Sequence, residues 1–209
     1  MGGKNIETKD SIAIRSTSIS REISEMNERI RGCNLCRLCE TRNRAVPGSG
    51  LVGKDLGVMF VGEGPGRNED LRGEPFVGAG GKLLDSALKL AGLDRCSVFI
   101  TNIVKCRPPE NRRPLEDEIE ICTSNYLGRQ IELLKPKLIC TLGATALEYF
   151  TGKKSIGKLH GKLLKTNAST LLFPAYHPAA IFRNRSLKPI FEREIGMIPK
   201  ILKQIETKE

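Results

Sequence analysis

Short apolar runs alternate with segments whose apolar residues recur at helical spacing along most of this 209-residue chain. The runs LGVMFVG (56–62), SVFITNI (97–103) and KLICTLG (137–143) are too short for buried helices, so each predicts a buried strand. KLHGKLLKT and STLLFPAY predict two more, the last ending at His177-Pro178. Between them, KLLDSALKLAGL (82–93) and LEDEIEICTSNYLGRQIELL (115–134) predict helices, the second with acids in its first turn as the helix dipole prefers. ATALEYF predicts a short helix, and a final one runs from about Pro189 to Gln204. Near the N-terminus, Ile19, Ile23, Met26 and Ile30 mark an amphipathic helix that Gly32 ends. Residues 1–18 are polar and predict a flexible tail, which leaves 19–209 as a single domain. No internal repeat is present.

Strands alternating with helices predict an α/β fold, a three-layer α/β/α sandwich around a central, mainly parallel sheet. In such sheets ligands sit beyond the carboxyl ends of the strands. That rule brings together the loops after Gly62, Thr101 and Tyr176.

Hydrophobic content of 39% is ordinary for a globular chain. The net charge of +10 changes the picture more: it favours an anionic partner, and nucleic acid is the commonest for a basic domain. The competing explanation is a surface rich in Lys and Glu, as in proteins of hot environments. No run approaches the ~18 apolar residues that span a bilayer. The first 18 residues lack the apolar core of a secretory signal, and Ile6 stands where myristoylation wants Ser or Thr. A cytoplasmic location and no membrane partner are therefore expected. Seven cysteines in a reducing compartment argue for metal or cluster binding rather than disulfides.

Cys33-x2-Cys36 is one ligand pair, and Cys106 with Cys122 can form a second. Four thiolates hold either zinc or an iron–sulfur cluster. Zinc ribbons favour two close knuckles, so the wide second spacing favours the cluster. Unrelated buried thiols are the plain alternative. Cys96 and Cys140 lie at or in strands and read as small hydrophobes, while Cys39 fits either role.

The loop GEGPG (62–66) follows a strand yet is no phosphate loop. It lacks the Gly-Lys-Ser/Thr ending and the G-x-G-x-x-G spacing, and no helix pattern starts at once. Its glycines instead permit close backbone approach to a ligand. Glu63 places a carboxylate just past the strand, where a solvated rim position is the bland reading. Asn102 places an amide at a strand end, where capping the next turn is the bland reading. Phe76 lies among glycines and outside any periodic run, which fits a core residue poorly. His177 and His160 are the two histidines. His160 sits among lysines and reads as a surface or structural residue.

GEGPGRNED-x2-GEPFVGAGGKLL, ITNIVKCRPPENRRP and YHPAA occur in that order. Together they resemble the motifs of the family 4 uracil-DNA glycosylases, thermostable iron–sulfur enzymes of bacteria and archaea. The resemblance covers nearly all of residues 30 to 205. It implies that Cys33, Cys36, Cys106 and Cys122 hold a 4Fe–4S cluster in an iron–sulfur loop region. It implies that Glu63, Gly64 and Pro65 form the uracil-contacting turn, that Glu69 lies near the base, that Phe76 stacks on it and that Asn102 reads it. It makes Glu63 and His177 the catalytic pair. Glu63 separates the chain from a related family with Ala at that position. The absence of His between Cys106 and Cys122 argues against the covalent trapping of a related cross-linking group.

The implied activity is a monofunctional DNA glycosylase that starts base-excision repair. It would act as a monomer on uracil-containing DNA, single- or double-stranded. Flipping the base costs a few kcal/mol, and stacking on Phe76 returns about 1–3 kcal/mol. The Asn102 amide offers one donor and one acceptor, matching O4 and N3–H of uracil. Cytosine presents the opposite pair, and each mismatch costs about 1–3 kcal/mol. A donor from His177 to O2 of the departing anion is worth about 10²–10³ in rate. Glu63 positions water and faces the cationic sugar, and Glu69 crowds C5 against thymine's methyl. Arg107, Arg112, Arg113 and Arg183 are candidate phosphate contacts, and Ile181 or Phe182 a candidate wedge. The cluster is expected to be structural, fixing the loop after Asn102. Two other readings compete: a non-catalytic four-Cys nucleic-acid-binding module and a zinc-dependent structural protein.

Overall fold

The structure is a computed structural model that describes residues 9–53, 56–165 and 170–207. In chain order its elements are α1 (Lys9–Arg31), β1 (Ser49–Gly50), β2 (Val58–Gly62), α2 (Arg67–Arg72), α3 (Ala79–Leu90) and β3 (Phe99–Asn102). There follow α4 (Glu116–Cys122), α5 (Gly128–Leu134), β4 (Leu138–Leu142), α6 (Ala144–Thr151), α7 (Ile156–Leu159), β5 (Leu164–Lys165), β6 (Leu171–Ala175), α8 (Pro178–Arg183) and α9 (Lys188–Glu206). The six strands form one sheet in the order β1-β3-β2-β4-β6-β5. The four central strands run parallel and only the two-residue edges are antiparallel.

Strand side chains alternate between faces, and each face has its own core. Met59, Val61, Phe99 and Ile139 join Ile23, Met26 and Ile30 of α1 and Leu134 of α5 on one side. Val58, Phe60, Ile100 and Phe173 join Leu84 and Leu88 of α3 and Phe191, Ile195 and Ile198 of α9 on the other. These are the three layers that the alternating pattern implied.

Four local expectations change. Residues 9–18 are helical rather than an irregular tail, and residues 1–8 lie outside those described. No Gly or Pro interrupts the sequence between Gly3 and Gly32, so the helix continues past its apolar stripe. Within the predicted strand 158–166, the described residues 158–165 are mostly the end of α7 and a turn with Gly161 at φ 70°, and among them only Leu164–Lys165 pairs as a strand. The helix 115–134 is divided by a π-helical turn over Thr123–Leu127, directly after Cys122. Finally, α2 starts at Arg67, straight after GEGPG, where no helix was expected.

Candidate active site and cysteine pocket

Beyond the carboxyl ends of the central strands lies a cleft of about 620 Å³. Glu63, Gly64, Pro65, Glu69, Phe76, Asn102 and His177 all line it. The topology delivers them from three strand ends: β2 leads into Glu63–Pro65, β3 ends at Asn102, and β6 leads to His177.

Asn102 is 1% exposed, and its Oδ1 has no hydrogen-bond partner. A buried carbonyl oxygen without a donor costs about 1–3 kcal/mol, and such groups usually have an absent partner. Gly62 stands beside it in the parallel register. A Cβ at Gly62 would lie 2.4 Å from Asn102 Oδ1 and 2.7 Å from Phe76 Cζ. Only a residue without a side chain lets the amide and the ring close on the same spot.

Phe76 is buried, with φ at 50°, a conformation disfavoured for a bulky residue. Its surroundings enforce it. Glu69 Oε1 accepts hydrogen bonds from the amides of Val77 (2.9 Å) and Gly78 (2.7 Å). Gly81 packs under the Phe76 carbonyl so closely that a Cβ there would sit 1.7 Å from its oxygen. The ring then lies 5.7 Å from the His177 ring, centroid to centroid. Glu69 thus holds the turn that carries Phe76, and its charge also reaches His177.

Glu63 is half-buried, and Thr145 in the first turn of α6 donates from Oγ1 to its Oε2 at 2.5 Å. His177 opens α8, and its Nδ1 accepts from the Ala179 amide at 3.1 Å. Burial lowers its pKa to about 4. At neutral pH the ring is therefore uncharged, and its one proton sits on Nε2.

The cysteines gather at a second pocket, behind the cleft. Cys33, Cys36, Cys106 and Cys122 line it together with Cys39, Arg42 and Tyr126. Arg42 Nη1 donates to Cys106 Sγ at 3.0 Å, and the Lys105 amide donates to Cys122 Sγ at 3.3 Å. Burial pushes the Cys106 thiol up to about 12 and the Cys122 thiol to about 11. Among the described residues no three His, Cys, Asp or Glu side chains form a group that could hold a metal ion. Cys140 is buried in β4 as expected, but Cys96 is exposed, because β3 begins three residues later.

Comparison with known proteins converges on one family. The model of the Uracil DNA glycosylase superfamily matches residues 49–195. The chain belongs to the uracil-DNA glycosylase superfamily. It is 45% identical over 193 residues to a type-4 uracil-DNA glycosylase of Sulfurisphaera tokodaii, covering 85% of this chain and 86% of that protein. It is 45% identical to one of Saccharolobus solfataricus, covering 84% of each chain, and 43% identical to one of Pyrobaculum aerophilum, covering 84% of this chain and 92% of that one.

The basic residues of this superfamily member divide by partner. Arg112 grips buried Glu118 with both nitrogens at 2.8 and 2.6 Å while also lining the cleft. Arg113 pairs with Glu148 at 2.5 Å, and Arg107 donates to Asn111 Oδ1 at 2.8 Å. Arg183 lies exposed on the cleft rim, as does Arg67, which the sequence did not single out. Of the two wedge candidates, Ile181 is buried and Phe182 is 57% exposed. No described helix is long and apolar enough to cross a membrane. Thr145, which holds Glu63, and Gly62, which lets Asn102 and Phe76 approach, are two supports of the cleft that sequence reasoning missed. A Thr early in a helix carries no signal of its own, and Gly62 gave notice only as a strand-ending glycine.

Proposed function

We propose that the protein is a monofunctional uracil-DNA glycosylase that acts as a monomer on uracil-containing DNA and starts base-excision repair. The observation that carries this reading is the unpartnered Oδ1 of Asn102, buried beside the Phe76 ring in a cleft. It is an acceptor waiting for one donor, at a place where an aromatic face is already supplied.

The extruded base stacks on Phe76. Asn102 Oδ1 accepts from uracil N3–H, and its Nδ2 donates to O4. The C1′–N1 bond breaks with its electron pair passing to the base, where charge collects on O2. Neutral His177 donates its Nε2 proton in a hydrogen bond to that oxygen. Glu63, held by Thr145, faces the cationic sugar and positions the water that adds at C1′, and the proton this water releases balances the charge of the departing uracil anion. Gly64 and Pro65 shape the backbone of that turn. Glu69 serves by locking the strained turn of Phe76, and its carboxylate beside the base disfavours a C5 methyl. Among the described residues no lysine lines the cleft, which suits hydrolysis without an imine. Arg183 and Arg67 meet phosphates, with Arg107, Arg112 and Arg113 on the loop beside them. Exposed Phe182 fills the gap left by the flipped base.

Cys33, Cys36, Cys106 and Cys122 would hold a 4Fe–4S cluster. A thiolate needs compensating charge when buried, and the donors from Arg42 and the Lys105 amide already face sulfur. The wide spacing of Cys106 and Cys122 favours the cluster over a zinc site built from two close knuckles. When bound, the cluster supplies iron–thiolate bonds that cross-link the end of α1 to the loop after β3 and to α4.

The deciding test is incubation with uracil-containing and matched thymine-containing oligonucleotides, followed by alkali. Strand breaks at uracil alone are expected. Breaks no more frequent than in the thymine control would leave only a binding module.

A further inference from the structure

The end of β3 carries the amide that this reading depends on, yet the sheet does not hold it on both sides. β1 pairs only with Phe99 and Ile100, so Thr101 and Asn102 run on with β2 as their single strand neighbour. What stands on the open side is the side chain of Lys105.

Lys105 is 1% exposed, and its ammonium donates three hydrogen bonds: to Thr101 Oγ1 at 2.6 Å, to the Asn102 carbonyl at 2.9 Å and to Gln130 Oε1 at 2.7 Å. All three of its protons are thus used. Thr101 Oγ1 and Gln130 Nε2 both donate to the Pro47 carbonyl, at 3.0 and 2.9 Å. The backbone of Lys105 is fixed as well: its carbonyl accepts from the Val46 amide at 2.7 Å and its amide donates to Cys122 Sγ at 3.3 Å. Among the described residues no carboxylate forms a salt bridge with it. A buried cation is costly; this one is held by neutral oxygens that it gathers to itself, with the Cys122 sulfur as an acidic group near enough to favour its charge.

We propose that Lys105 is a positioning residue for base reading: its ammonium replaces the missing strand neighbour at the end of β3 and fixes the Asn102 amide relative to the cysteine pocket. It does not line the cleft, so it acts through Asn102 rather than on the base. The network also makes one mechanical unit of the reader and the segment bearing Cys106, because only three residues separate Asn102 from that ligand candidate. This inference rests on the uracil-releasing function proposed above.

The test is a double-mutant cycle in single-turnover assays on uracil-containing oligonucleotide, with Lys105→Met, Asn102→Ala and the pair. Lys105→Met should lose about a hundredfold in rate, and should cost less than about twofold more once Asn102 is already Ala. Losses that multiply instead would mark a general structural role and overturn the proposal. Thr101→Val, which keeps the shape and removes the acceptor for Lys105 together with the donor to Pro47, should lose about tenfold and decides the matter if Lys105→Met does not fold. Iron content and melting temperature are read in parallel, and Thr101→Val should match the wild type in iron. A folded variant of either kind with wild-type rate would remove Lys105 from the account. Wild-type protein that releases no uracil would remove the function itself, a separate outcome.

Discussion

Gly62→Ala adds one methyl group against both Asn102 and Phe76. The new carbon would lie 2.4 Å from Asn102 Oδ1 and 2.7 Å from Phe76 Cζ. Ordinary van der Waals contact between carbons needs about 3.5–4.0 Å, so the amide and the ring must each retreat by roughly 1 Å. A hydrogen bond of about 2.9 Å stretched by that amount is no longer one. Two such bonds to the base at about 1 kcal/mol each, with part of a stacking contribution of about 1–3 kcal/mol, give a loss near 3 kcal/mol. That corresponds to roughly a hundredfold in rate. The assay is single-turnover release of uracil from an oligonucleotide, with the melting temperature measured alongside. The control is Gly196→Ala in α9, where an added carbon meets nothing within 4 Å. Gly196→Ala should keep the wild-type rate and gain a few tenths of a kcal/mol or more in stability from helix propensity, up to ~1 kcal/mol. A folded Gly62→Ala protein with a rate within about threefold of wild type would refute the convergence of Asn102 and Phe76 on one base.

The other predictions test single groups. Asn102→Asp should lose most activity on uracil and gain some on cytosine, more so at lower pH, because the carboxyl must be protonated to pair; retained wild-type preference would remove Asn102 as the reader. Thr145→Val should lower kcat about tenfold with KM little changed, since it releases the Glu63 carboxylate without touching DNA. His177 is neutral above its lowered pKa of about 4, while an unfolded histidine gains its proton near 6.5. Its contribution to stability is therefore complete above pH 6.5 and is lost as pH falls toward 4, and the rate profile should show no inflection from His177 between pH 5 and 8. An inflection near 6.5 that vanishes in His177→Gln would contradict this. Stripping iron with chelator and oxidant should lower the melting temperature and speed proteolysis at the end of α1; unchanged melting would contradict a structural role.

The central strands were legible because each is a short unbroken apolar run, and the layers followed from their alternation with helices. The ends of elements were less so. The length of α1 depends on the absence of a breaker rather than on any apolar signal, and α7 consists of four residues without a periodic pattern. In the site, Glu63, Phe76, Asn102 and His177 stood out because their types are out of place at strand ends and glycine turns. Thr145 could not be seen, since its meaning is a contact with a residue 82 positions away. Lys105 looks in sequence like any of the basic residues around it. Its burial is a property of the loop that folds back over β3. Arg112 and Arg113 read as free charges and instead hold Glu118 and Glu148, which only tertiary contact reveals.

The separation of the four proposed ligand thiols along the chain has a consequence for biosynthesis. Cys33 emerges 89 residues before Cys122, because 122 minus 33 is 89. At translation speeds of about 5–20 residues per second, the first two thiols wait roughly 4–18 s for their last companion. By the end of that interval β2 and β3 have emerged from the ribosome, while β4 and β6 have not. The nascent half-sheet must remain unaggregated with those thiols uncovered, so a cluster bound as proposed would be a late event that seals the domain rather than a nucleus that starts it.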